Sequence, residues 1–180
     1  MSALVRACQL GEVPGSIVVV VSPVATSPAL QAALEAGLDC AVVSPRDEDY
    51  FERLMSTMRE HDVEWICLAG LMTKLPEAFV QAYAGRILNI HPALLPKFGG
   101  KGMYGIHVHE AVVAAGERES GCTVHVVTEN YDEGPILLQY RCEVRPDDTP
   151  DSLASRVLEL EHQAFPRALK EAIERHAAQR

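Results

Sequence analysis

Seven consecutive residues, Ser16-Ile17-Val18-Val19-Val20-Val21-Ser22, constrain the fold of this chain more than any other stretch. Apolar, β-branched side chains occupy odd and even positions alike, so both faces of the strand they favour must be covered. A strand of this kind belongs in a layered fold with helices on both sides of a sheet. The neighbouring sequence supplies such helices. Leu4, Val5 and Cys8 are spaced along one helical face that Gly11 ends, and Ser27 caps a helix with Pro28 at its first position and Gly37 just beyond its end. Cys40–Ser44 reads as a second strand, and Asp47–His61 as an amphipathic helix bearing Tyr50, Phe51, Leu54, Met55 and Met58 at three- and four-residue steps. Glu64–Ala69 (strand), Pro76–Tyr83 (helix) and Arg86–His91 (strand) continue the alternation. This order predicts an α/β, Rossmann-like, doubly wound and mostly parallel sheet. After the irregular loop Pro92–Gly105, a helix over His107–Ala115 stops at Gly116. The strands Thr123–Thr128 and Ile136–Val144 then form an antiparallel edge. A long helix from Thr149 to about Ala178 closes the chain, with Pro166 expected to kink or split it. The 180 residues suit a single domain over 1–180.

Chemistry concentrates at the end of the fourth strand. In Leu88-Asn89-Ile90-His91 the apolar and polar residues alternate, which puts Asn89 and His91 on one face just before Pro92 turns the chain. Two readings stand at this point: the pair caps a strand end and bonds the next turn, or it carries a reaction at the sheet edge where open α/β folds place their sites. The net charge of −9 argues against a nucleic-acid surface. The longest apolar runs, Ile17–Val21 and Trp65–Ala69, are far below a membrane span, and the first residues lack a signal-peptide pattern. Five scattered cysteines, without disulfide pairing or zinc spacing, fit free thiols in a reducing cytoplasm. Gly100-Lys101-Gly102-Met103-Tyr104-Gly105 fits the dinucleotide pattern G-x-G-x-x-G, yet the proline-rich loop separates it from its strand, so it reads as a lip beside His91.

Taken as an ordered set, Ala69-Gly70-Leu71-Met72, Asn89-Ile90-His91-Pro92 and Tyr131-Asp132-Glu133-Gly134-Pro135 resemble the folate-dependent formyltransferase family. The run Gly121–Gly134 is similar to that family's signature segment, and the resemblance extends from about Met1 to Pro166. It implies transfer of a formyl group from 10-formyltetrahydrofolate to the amine of glycinamide ribonucleotide in purine synthesis. The implied catalytic residues are Asn89, as a donor to the tetrahedral oxyanion, His91, as its stabiliser and proton donor, and Asp132, as the carboxylate that favours charged His91. The implied pterin pocket runs along Met72, Thr73, Lys74 and Leu75 on one side and Thr128, Glu129, Asn130, Tyr131 and Asp132 on the other, with Asn89 between. Glu161 matches a glutamate that contacts the amine substrate; a solvated helix face is its other reading. Arg46 is the weak counterpart of a residue meeting the folate tail, and Lys101 lies on the lip. His91, His107 and His109 have the residue types of a metal site, but the family uses no metal. The resemblance also implies small-molecule partners, no nucleic acid or membrane, and a monomer or homodimer in the cytoplasm. Two alternatives remain: a formyltetrahydrofolate hydrolase, and a non-catalytic, folate-binding remnant. The remnant reading arises because family members open with an apolar strand and a Gly-rich loop that holds phosphate. Met1-Ser2-Ala3-Leu4 aligns beyond that loop, so an N-terminally truncated domain is expected, with a gap between the Ile17–Val21 and Trp65–Ala69 strands.

Overall fold

The structure, a computed structural model, describes residues 1–179. Its elements are α1 (Ser2–Gln9), β1 (Val20–Ser22), α2 (Pro28–Glu35), β2 (Cys40–Val42), α3 (Tyr50–Glu60), β3 (Ile66–Leu68), α4 (Glu77–Ala82), β4 (Ile87–His91), α5 (Ile106–Ala114), β5 (Glu119–Val126), β6 (Ile136–Glu143) and α6 (Pro150–Ala177). Ser27 caps α2 as its sequence suggests, its hydroxyl oxygen accepting the Leu30 N–H at 3.2 Å.

The strands form two sheets, a parallel pair β1-β2 and a four-stranded sheet in the order β3-β4-β5-β6. β3 and β4 run parallel, while β4-β5 and β5-β6 are antiparallel, so the expected α/β architecture with an antiparallel edge is present. An apolar slot of about 760 Å³, lined by residues 16–22 and 64–69, separates the open side of β1 from that of β3. β1 is shorter than its apolar run. Its ladder starts at Val20↔Cys40, because the chain preceding Cys40 is the turn that closes α2, leaving residues 17–19 no strand to pair with. β5 is longer than expected, beginning at Glu119 rather than Thr123. Gly121, inside the added stretch, permits the close approach of β6: a Cβ there would lie 1.9 Å from the Tyr140 carbonyl oxygen.

Burial explains which faces are fixed. Leu88, Ile90, Val124, Leu153, Val157, Ala164, Phe165, Ala168 and Leu169 form one core cluster, which joins β4 and β5 to α6. Each fully buried aliphatic side chain contributes about 1.5–3 kcal/mol through area removed from water. The same packing holds α6 together: Pro166 neither splits nor ends it, and the helix runs unbroken from Pro150 to Ala177. Buried Ala164 and Phe165 before the proline, and Ala168 and Leu169 after it, anchor both halves and offset the roughly 3 kcal/mol cost of an interior proline. A second cluster, centred on Phe79, Ile87, Leu54, Met58 and Val43, secures α3 and α4.

Candidate active site

The register of β4 against β5 builds the centre of the site. Leu88 pairs with Val126 and Ile90 with Val124, while Asn89 pairs with His125 and His91 with Thr123. Alternation therefore sends the first set into the core and gathers the four polar side chains on the other face. The turn after His91 is fastened to the same sheet. The Thr123 hydroxyl donates to the Ala93 carbonyl at 2.6 Å and accepts the Leu95 N–H at 3.0 Å, and Gln139 Nε2 donates to the Leu95 carbonyl at 2.9 Å. These bonds hold the loop against β5, so the strand end is rigid where it meets the cavity.

That cavity, of about 890 Å³, is lined by every candidate residue of the catalytic and pterin sets: Asn89, His91, Asp132, Met72 to Leu75, and Thr128 to Tyr131. Glu161 on α6, Lys101 on the lip and His109 on α5 also line it. Arg46 and His107 do not; His107 is instead on the surface, its Nδ1 3.0 Å from Glu110. His91, His107 and His109 therefore do not converge on a common centre.

Asp132 joins the two histidine-bearing strands, β4 and β5, to the Gly100 loop. Its Oδ2 accepts the Gly100 N–H at 2.8 Å and lies 3.6 Å from His91 Nδ1, and its Oδ1 lies 3.4 Å from His125 Nε2. The residue takes φ 55°, a left-handed conformation that aspartate tolerates better than most side chains and that recurs at functional turns. Burial alone raises the carboxyl pKa; His125, the Gly100 N–H and His91 outweigh it and hold Asp132 below its ordinary range. His91 shows the reverse balance. Its side chain is 4 % exposed, and burial lowers its pKa despite the raising effects of Asp132 and of the Phe98 carbonyl. His91 Nε2–H donates to that carbonyl at 2.7 Å, which leaves Nδ1 as the nitrogen turned to Asp132. Asp132 is thus beside His91 as expected, but in this state it does not overcome desolvation to keep the imidazole charged. Burial likewise raises Glu161 to about 7.

Sequence reasoning missed two contributors. His125 is 2 % exposed and sits across from Asn89; the alternation Cys122-Thr123-Val124-His125 carries that signal once β5 is paired with β4. Gly99 is the other. A Cβ on it would lie 2.5 Å from Leu95 Cδ2 and 3.2 Å from Asp132 Cβ, so the absence of a side chain is what lets the loop close over Asp132.

A Rossmann-like sheet brings an amide and an imidazole at the carboxyl end of β4 together with a carboxylate from the loop between β5 and β6, a set whose chemistry suits acyl transfer, and the comparisons agree. The family model described as Formyl transferase matches residues 1–169, and the chain belongs to that family. It is 42% identical over 163 residues to the chloroplastic phosphoribosylglycinamide formyltransferase of Arabidopsis thaliana, an alignment covering 88% of this chain and 56% of that protein. The chain thus spans little more than half of this relative's length. The crystal structure of glycinamide ribonucleotide transformylase 1 from Symbiobacterium toebii superposes with a TM-score of 0.88 at 35% identity, covering 96% of this chain and 82% of the other. A formyltetrahydrofolate deformylase from Pseudomonas syringae pv. tomato gives a TM-score of 0.84 at 25% identity, covering 96% and 57%. Among the described residues no helix is long and apolar enough to cross a membrane.

Proposed function

We propose that this domain transfers the formyl group of 10-formyltetrahydrofolate to the amine of glycinamide ribonucleotide, a step of purine synthesis. The observation that carries the reading is the meeting of Asn89, His91 and Asp132 in one cavity of a chain belonging to the formyl transferase family. The attacking amine must be neutral, and its addition to the formyl carbon creates an oxyanion and an ammonium. The Asn89 N–H stabilises the oxyanion. His91, neutral at the outset because it is buried, takes up the surplus proton. The resulting imidazolium faces Asp132 and then protonates the folate nitrogen as the C–N bond breaks.

The two sides of the cavity suit a flat ring with a polar edge. Met72 is 65% and Tyr131 41% exposed at its mouth, so large apolar surface is free to cover a pterin, with Thr73, Lys74, Leu75, Thr128, Glu129 and Asn130 along the same walls. Glu161, which lines the same cavity from α6, is the amine-substrate contact of this reading, and no metal takes part. All five cysteines are free, which supports a reducing, cytoplasmic setting. A single domain that is truncated at its N-terminus is supported by the apolar slot between β1 and β3, which is open to a further strand; a monomer or homodimer completes the reading. Hydrolysis of the same folate is the second reading, favoured by the similarity to the deformylase structure.

The test is to follow tetrahydrofolate release with and without glycinamide ribonucleotide, for this chain and for one extended by the codons upstream of Met1. Amine-dependent release supports transfer, and release without the amine overturns it in favour of hydrolysis. Silence in both chains favours the non-catalytic remnant.

A further inference from the structure

His125 is a buried imidazole that the reaction outlined above does not use, and its hydrogen bonds leave it little choice of tautomer. Its Nδ1 lies 3.0 Å from the Val126 carbonyl oxygen. A carbonyl only accepts, so Nδ1 carries a proton. Its Nε2 lies 3.1 Å from Asn89 Nδ2, and an amide nitrogen only donates, so Nε2 presents its lone pair. Asp132 Oδ1, at 3.4 Å from the same Nε2, competes for that position, because it would be satisfied only by a proton there. The two demands exclude one another. With a lone pair on Nε2, Asn89 turns its NH₂ towards His125. With a proton on Nε2, Asn89 must reverse its amide and offer its oxygen.

We propose that His125 is a positioning residue that sets the orientation of the Asn89 amide, accepting one N–H of Asn89 through Nε2. The inference rests on the formyl-transfer reading for its catalytic consequence. Asn89 Nδ2 has two hydrogens: one is held by His125, and the other is thereby aimed into the cavity where the oxyanion develops. A reversed amide would point an acceptor oxygen at the oxyanion and destabilise it.

Two asparagines, Asn89 and Asn130, make the experiment tractable. In ¹⁵N-labelled protein, long-range ¹H–¹⁵N correlations report the His125 tautomer, and hydrogen exchange of the side-chain amides reports whether one Asn89 proton is held. The expected result is an Nδ1–H tautomer and one protected Asn89 amide proton. His125→Phe, which keeps the ring volume, should abolish that protection and lower kcat about tenfold to hundredfold with little change in KM. His125→Gln, whose amide oxygen can accept the same N–H, should recover most of both. An Nε2–H tautomer or an imidazolium in the wild-type protein overturns the proposal, as does a kcat for His125→Phe within twofold of wild type. The spectra need no substrate, so wild-type protein that shows the expected tautomer and amide protection but transfers no formyl group would refute the function while leaving the positioning role standing.

Discussion

Substituting Gly99 by alanine tests whether the geometry around Asp132 is set by close packing of the loop. The added Cβ would meet Leu95 Cδ2 at 2.5 Å and Asp132 Cβ at 3.2 Å. The first contact is with the end of a side chain, but Leu95 is 5% exposed and its backbone is bonded at both N–H and carbonyl to Thr123 and Gln139, so relief must come from rotating a packed side chain. The second contact is relieved only by moving Asp132 away by a few tenths of an ångström. Overpacking of this kind costs about 1–3 kcal/mol. In a domain of this size each kcal/mol shifts Tm by about 2–4 °C, which sets the expected fall at about 2–12 °C. The catalytic effect should be larger than the stability effect suggests. Moving Asp132 changes its distances to His91, His125 and Gly100 together, and misplacements approaching 1 Å cost about a hundredfold in rate. Thermal denaturation read beside formyl-transfer kinetics measures both. Gly85→Ala is the control: Gly85 also has a positive φ of 75°, but nothing lies within 4 Å of its Cβ position and it does not line the cavity. It should lower Tm by a similar amount through backbone strain and leave kcat unchanged. A Gly99→Ala protein with wild-type Tm and a kcat within twofold of normal refutes the close-packing account.

Other consequences follow from the same geometry. Asn89→Ala and His91→Ala should each reduce kcat by at least a hundredfold, since one oxyanion donor contributes about 3–4 kcal/mol, with circular dichroism unchanged; near-normal turnover in either variant removes it from the mechanism. His91 and His109 are both held below the ordinary histidine range by burial. The unfolded chain therefore binds more protons just below its own histidine pKa of about 6.5. The histidine contribution to stability should be level above that pH and decline as pH falls towards the folded values, and denaturant midpoints that do not change between pH 7 and pH 5 in a Glu161→Gln background would contradict this. Glu161 has the opposite sign. Its folded pKa of about 7 against an ordinary 4.5 favours the folded state fully below pH 4.5, an advantage lost as pH rises through 7. Glu161→Gln should therefore stabilise the protein more at pH 8 than at pH 5, and equal effects at both pH values would show that the carboxyl ionises normally.

The residues differ in how openly the sequence declares them. Element types were legible where local chemistry decides them: the stripe of α3 and the Ser27 cap specify local structure, while the β-branched run at Ile17–Val21 is strand only from Val20 onward. Asn89 and His91 were legible for the same reason, since alternation along one short strand places them together. What the sequence hid depends on partners distant in the chain. Pro166 looks like a break until the burial of Phe165 and Leu169 is known. His125 gains its meaning only from the register that sets it beside Asn89, and the lowered pKa of His91 arises from a burial that no local pattern reveals.

The single long helix α6 also fixes when the site can form. Leu88 and Val124 share a core cluster with Leu153, Val157 and Phe165, and those residues leave the ribosome after Asn89, His91 and Asp132. At about 5–20 residues per second, Phe165 follows His91 by roughly 4–15 s. During that interval the strand bearing Asn89 and His91 has been made but has no layer to seal it. Chaperone demand during synthesis should therefore respond to substitutions on the buried face of α6 more than to changes at Asn89 and His91 themselves.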